Sequence, residues 1–267
     1  MKKSLVSVLC IINSFNCTAM ATIFEDMSLW WQGKEEELIS HEHKLGPNAH
    51  ISLENVYGDI TISTWQQNKV MLEATKIGSE SSVKNTKIDL TYTKNGLTIK
   101  TVALNPEKMC KISFSVIIPA DAVLDSVKTD KGAITVKNSV SPISLTSNCG
   151  DITVTEAHHS VNAHTKNGSI SISATADLTA DHHVIALTEK GTITLQIPED
   201  TNAHVCATTL RGSVSTEQPV TLDPKTLKIS RKTLAELKRD VQGSLGTGKG
   251  PNFKLHTNKG NIRLVQS

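Results

Sequence analysis

The sequence predicts an all-β protein, a β-solenoid built from stacked coils of about 18–23 residues with a less regular N-terminal β region. Three observations predict it. A glycine recurs at near-regular spacing, apolar residues alternate with period two on both sides of it, and a hydroxyl stands three positions before it. The glycines are Gly132, Gly150, Gly168, Gly191, Gly212 and Gly260, at steps of 18, 18, 23, 21 and 48 residues, with Gly58 as an outlying member.

The hydroxyls are Thr129, Ser147, Thr165, Thr188, Thr209 and Thr257. Apolar residues fill the places five and seven before the glycine, such as Ala163 and Val161, and two and four after it, such as Ile170 and Ile172. Only Asp125 and Thr216 break that set. Two half-buried strands meeting at a glycine turn give this pattern, the turn being one that favours positive φ and side-chain hydroxyls. Recurrence of the unit favours stacking, each coil covering the apolar positions of the next, over a sandwich of hairpins, which is the alternative.

The run Ile51-Ser-Leu53-Glu-Asn-Val-Tyr-Gly58-Asp-Ile60-Thr-Ile62-Ser-Thr-Trp65, then Val116-Ile-Ile-Pro119, then the repeated Thr-x-x-Gly-x-Ile units, resembles the bacterial putative-adhesin family of β-strand repeats. The resemblance spans roughly residues 45–267. It implies a solenoid and an exported location, and it transfers no catalytic or binding residue.

Taken in order, residues 1–21 read as a secretory signal peptide: Lys2-Lys3, an apolar run from Leu5 to Ile12, and Ala19-Met20-Ala21 as the cleavage site. Residues 22–50 read as an irregular or partly helical lead-in whose Trp30 and Trp31 cap the open end of the stack. Residues 51–122 form the N-terminal β region, where Asn95-Gly96 between alternating runs predicts a type I′ hairpin and Lys111 to Pro119 a strand stopped by proline. Residues 123–216 are the regular coils. Residues 217–252 are an insertion, with a short helix predicted from Thr233-x-x-Glu236 ahead of Leu237 and Val241 and stopped by Gly243. Residues 253–267 are the closing coil.

The 28 basic and 26 acidic residues leave a formal charge of +2, so no global field calls for nucleic acid. No later apolar run approaches the roughly 20 residues of a membrane span. Removal of the leader leaves Cys110, Cys149 and Cys206. Cys149 and Cys206 lie three coils apart, about 14 Å along the stack and beyond disulfide reach, so reduced structural thiols are expected.

Candidate chemistry is sparse. His158-His159 and His182-His183 place His159 and His182 at equivalent positions of successive coils, where stacked imidazoles would suit zinc or copper, but corner histidines in water fit the pattern better. His41 and His43 share a face if extended, without a third ligand. Gly243-Ser-Leu-Gly-Thr-Gly248-Lys249 imitates a phosphate-binding loop but continues Gly250-Pro251 where a metal-binding hydroxyl and a helix are needed. Gly246 and Gly250 are accordingly expected to tolerate a side chain. Asp59 and Asp151 follow their glycines without acidic equivalents in the other coils. Thr61, Thr135, Thr153, Ser171, Thr194 and Ser215 form a solvent-facing hydroxyl ladder.

No catalytic, cofactor or metal site is assigned, and the singled-out residues are the turn glycines, Gly58 among them. The function expected is non-enzymatic: an exported envelope scaffold or adhesin-like interaction module with an unidentified envelope or surface partner. The alternatives are a carbohydrate-acting enzyme on a β-helix and a polymerising solenoid like the bactofilins.

Overall fold

The computed structural model describes residues 34–93, 95–223 and 239–267. The leader, Trp30-Trp31, the Thr233–Glu236 motif and Leu237 lie outside them. The strands are β1 (Glu35–Lys44), β2 (His50–Tyr57), β3 (Ile60–Trp65) and β4 (Lys69–Gly78), followed by one short helix, α1 (Glu80–Asn85). Then come β5 (Thr86–Thr93), β6 (Gly96–Ala103), β7 (Lys111–Pro119), β8 (Val123–Lys131), β9 (Ile134–Ser139), β10 (Ile143–Cys149), β11 (Ile152–Ala157), β12 (Val161–Asn167) and β13 (Ile170–Ala174). The chain ends with β14 (His183–Lys190), β15 (Ile193–Ile197), β16 (Ala203–Arg211), β17 (Val214–Thr216), β18 (Val220–Leu222), β19 (Asp240–Leu245), β20 (Asn252–Lys259) and β21 (Ile262–Gln266).

These strands make two open, largely parallel sheets. One has ten strands in the order β1-β4-β7-β3-β9-β11-β13-β15-β21-β17, the other eleven in the order β18-β19-β16-β20-β14-β12-β10-β8-β2-β6-β5. The two strands flanking each repeat glycine belong to different sheets, so they pair with their equivalents in neighbouring units and not with each other. β12 lies between β10 and β14, with Val161 opposite Ile143 and Val184, and β13 lies between β11 and β15, with Ile170 opposite Ile152 and Ile193.

Like therefore sits on like from unit to unit. Ile134, Ile152, Ile170, Ile193 and Ile262 are all 0% exposed, and Ala163, Ala186 and Ala207 give the core its narrow column. Full burial of each isoleucine removes apolar surface at about 1.5–3 kcal/mol per side chain, which short amphipathic strands with few aromatics accumulate by repetition.

Asp125 does not break the apolar column after all. A register shift in β8 places Leu124 opposite Ile51 and lets Asp125 turn outward, where its carboxylate meets His50 Nδ1 at 2.9 Å. Such a bulge moves one residue out of phase without changing the rest of the strand. Thr216 lies on the outermost, three-residue strand and is exposed, so among the described residues nothing covers an apolar side chain there.

The chain does not stack in sequence order at its C-terminal end. The closing unit, β20 and β21, inserts between the unit of Gly191 and that of Gly212: β20 pairs with both β14 and β16, β21 with both β15 and β17. The eleven-stranded sheet is continued past β16 by the insertion, whose β19 runs antiparallel to β16 and carries β18 outside it, while β17 remains the edge of the ten-stranded sheet. Val241 and Gly243, expected on a helix and at its stop, lie within β19.

At the other end, Glu35–Lys44 is a strand and not an irregular or helical lead-in, because its backbone completes the sheet edge left by β4. Opposite Lys76, whose side chain is 9% exposed, stands Glu37, bonded to it at 3.0 Å. The hairpin of β5 and β6 pairs Thr93 with Gly96, so Gly96 belongs to the strand and not to the turn. α1 is capped by Ser79, which accepts the Ser82 N–H.

Candidate functional site

The repeated feature that the sequence singles out, Thr-x-x-Gly, becomes a corner where the chain passes from one sheet to the other. In spatial order the corner glycines run Gly58, Gly132, Gly150, Gly168, Gly191, Gly260, Gly212. Each of the first six is bonded through its N–H to the residue before the next glycine, as Gly150 N–H is to Asn167 O at 3.0 Å. The hydroxyl three positions upstream does not serve its own turn. It donates to the glycine carbonyl of the preceding unit: Thr165 to Gly150 at 3.0 Å, Thr188 to Gly168 at 2.9 Å, Thr257 to Gly191 at 3.0 Å, Thr209 to Gly260 at 2.9 Å.

Asn55 holds the same place before Gly58, and its amide donates to Ile112 O at 2.8 Å. A search for hydroxyls passes over it because the residue type changes while the bond does not. Thr165 is 0% exposed, so its hydroxyl supplies the donor that a buried carbonyl needs. Thr165→Val is expected to cost about 1–3 kcal/mol, with Thr165→Ser retaining most of the stability. Denaturant midpoints check it, and a valine variant as stable as the parent would refute the role.

The residue after the glycine forms a third ladder. Asp59 Oδ1 accepts the Ala133 N–H at 2.9 Å, Asp151 Oδ1 that of Ser169 at 2.7 Å, and Asn261 Oδ1 that of Ser213 at 3.0 Å. The bond from the Lys111 ammonium, then that of the Ala133 N–H, hold the Asp59 carboxyl below its ordinary range. The two aspartates thus fasten one unit to the next, two units apart from each other.

On the outer face of the ten-stranded sheet, Ser115, Thr61, Thr135, Thr153, Ser171 and Thr194 follow in register. Arg263 stands between Thr194 and Ser215, so the expected hydroxyl ladder is interrupted by a cation on the inserted unit.

The four histidines lie at the opposite corner. The rings of His159 and His182 have centroids 4.1 Å apart. His159 Nδ1 accepts the Ser160 N–H at 2.7 Å and His182 Nδ1 the Thr179 N–H at 3.1 Å. With Nδ1 accepting, the proton of each neutral ring sits on Nε2, and neither nitrogen offers a lone pair to a metal while these bonds stand. His158 instead meets the carboxylate of Asp177, and His43 lies against Tyr92 with ring centroids 4.2 Å apart. Among the described residues no three metal-binding side chains converge.

Burial, and after it the nearness of His182 and His183, hold the His159 imidazole below the usual histidine range. The unfolded chain takes up that proton near pH 6.5 and the folded chain only at lower pH. Stability contributed by neutral His159 is therefore complete above about pH 6.5 and falls as pH drops through the window below it. The thermal midpoints of the parent and of His159→Asn, whose amide oxygen replaces Nδ1, are expected to converge between about pH 7 and about pH 5. A gap that stays constant or widens would contradict this.

The glycine-rich loop after β19 is fixed in place. Asn202 Oδ1 accepts both the Thr247 N–H at 2.8 Å and the Thr247 hydroxyl at 2.9 Å. Lys249, Gly250 and Pro251 pack beside Ala174–Ala180 and Ile197–Asn202 around a cavity of about 400 Å³ floored by Phe253. The loop continues into β20, so its lysine has no helix N-terminus to share a phosphate with. Cys110 is buried, Cys149 exposed and Cys206 half-buried, all unpaired. Four strand steps separate β10 from β16, one more than chain order suggests. No helix among the described residues is long and apolar enough to cross a membrane.

No family model matches the chain, and neither does any curated protein. Among solved structures, a putative cell adhesion protein from Clostridium sporogenes ATCC 15579 superimposes with a TM-score of 0.50 at 12% identity, covering 86% of this chain and 100% of that one. A putative adhesin from Bacteroides fragilis NCTC 9343 gives a TM-score of 0.34 at 14% identity, covering 86% of this chain and 97% of that one. At such identities the likeness is one of fold. At a TM-score of 0.50, this all-β chain and the clostridial cell adhesion protein share their fold.

Proposed function

We propose that this chain is an exported, non-enzymatic β-solenoid serving as an adhesin-like interaction module or scaffold of the cell envelope, with the repeat glycines as its structural turns. The observation that carries the reading is the in-register parallel pairing of successive units, Val161 on Ile143 and Val184, Ile170 on Ile152 and Ile193. Such pairing repeats each outward position at every step, giving long faces suited to an extended partner. The fold shared with the clostridial cell adhesion protein supports the same reading. The basic end, apolar run and Ala19-Met20-Ala21 of the leader support export.

Fractionation of the native cells, with proximity capture from the tagged protein, tests it. The chain is expected outside the cytoplasm, processed near Thr22, with envelope components as its captured neighbours. Retention of Met1 on a cytosolic protein would refute export, and turnover of cell-wall glycans by the purified protein would refute the non-enzymatic role.

A further inference from the structure

The unit inserted out of sequence order differs from the others in charge. β20 and β21 carry Lys254, Lys259 and Arg263 and no carboxylate. The flanking units add Lys190 at the end of β14 and Arg211 at the end of β16, and the six strands of these three units hold a single acid, Glu189. Lys190 pairs in register with Lys259, and Lys259 with Arg211. Three cations thus stand one strand step apart, about 4.8 Å, along the corner just before Gly191, Gly260 and Gly212. All three are exposed. Among the described residues none of the five cations has an ion-pair partner, although Lys69, Lys76, Lys84, Lys100 and Lys111 elsewhere in the fold all do.

Like charges directly opposite one another on adjacent strands destabilise a sheet. Here two such pairs follow in succession, without an ion-pair partner among the described residues, on the unit that the chain brings back from its C-terminus into the stack. Around them stand small polar residues, Thr192, Asn261 and Ser213 beyond the glycines and Thr194 and Ser215 on either side of Arg263, with exposed Glu189 and Leu210 just before Lys190 and Arg211. The one aromatic residue of the three units, Phe253, is 1% exposed and points inward.

We propose that this ridge, Lys190, Lys259 and Arg211 with Arg263 beside it, binds a linear anionic glycan. The inference rests on the interaction-module reading and names the partner's chemistry. In-register cations match acidic groups that recur along an extended polymer, and hydroxyl and amide side chains match the sugar hydroxyls between them. A single-stranded nucleic acid would instead call for exposed aromatic platforms on which bases stack, and the ridge presents none.

Titration of the purified protein with alginate oligosaccharides and dextran sulfate, with neutral dextran, poly(dT) and anionic phosphatidylglycerol vesicles as comparisons, tests the proposal. Both acidic glycans are expected to bind, more weakly as salt rises, and neutral dextran not to bind. The triple variant Lys190→Gln/Lys259→Gln/Arg211→Gln is expected to weaken glycan binding roughly tenfold or more, with a thermal midpoint no lower than the parent's, since the facing like charges are gone, showing that the fold persists. Lys87→Gln/Lys108→Gln/Lys137→Gln, equal in charge removed but distant from the ridge, is expected to bind as the parent does. Absence of glycan binding, equal losses in the two triple variants, or tighter binding of poly(dT) or of vesicles would each overturn it. If the ridge variant binds glycans normally while the chain is still found at the envelope with captured partners, the anionic-glycan assignment fails and the interaction-module reading stands.

Discussion

Ile170→Asp is expected to abolish stable folding, whereas Ser171→Asp changes the unfolding midpoint little. The two residues are adjacent in β13 and face opposite sides of the sheet. Ile170 is 0% exposed and lies in register between Ile152 and Ile193, each also 0% exposed, while Ser171 is exposed. An aspartate at position 170 has an isoleucine on either side and no cation or donor within the column. Ionised or protonated, it leaves oxygen atoms without partners in an apolar layer, a change of several kcal/mol against a total stability on the order of 10 kcal/mol. The effect spreads, because the parallel column transmits a displaced side chain to the units above and below. Denaturant unfolding of the two variants checks the assignment of inner and outer faces; similar midpoints would refute it.

Much of this architecture was legible because one unit is repeated. Period-two alternation about a glycine identified the inward columns, and repetition separated stacking from hairpin pairing, since a hairpin has no reason to recur at a set interval. What was not legible follows from the same logic. Asp125 broke the period because a bulge slides one residue outward, and a periodicity reading has no way to see a register shift. Asn55 escaped notice because the bond to the neighbouring carbonyl can be made by an amide as well as by a hydroxyl. The insertion of β20 and β21 between units 191 and 212 is a long-range choice of partner, and every unit offers the same pairing edge, so sequence order alone points to the wrong neighbour. α1 has only six residues and rests on a serine cap, too little for a helical period to show. The cationic ridge is invisible in the overall charge of +2, because Lys190, Arg211 and Lys259 converge only once the last unit moves into the stack.

Gly168→Val is expected to destabilise the chain by several kcal/mol, and the reason is contact more than backbone conformation. At Gly58 the backbone adopts φ +126°, a region that penalises a side chain in its own right. At Gly168 the obstacle is the preceding unit: a Cβ there would lie 2.5 Å from the carbonyl carbon of Gly150 and closer still to its oxygen. Backbone cannot swing aside as the tip of a side chain can, and that oxygen already accepts the Thr165 hydroxyl, so the substitution separates two units and breaks a buried bond together. The expectation that Gly250 tolerates a side chain does not survive the structure. Its Cβ would meet the carbonyl of Asn202, and at Gly246 φ is +54° with Asn202 Oδ1 in the way. Gly250→Val is therefore expected to be costly as well, through the loop that Asn202 holds. Among the described residues, Gly46 leaves room, with nothing within 4 Å of a Cβ. Gly46→Val is expected to lie within about 0.5 kcal/mol of the parent. Unfolding midpoints of the three variants decide the matter: a fall at Gly168 no larger than at Gly46 would mean that the units do not stack glycine on glycine.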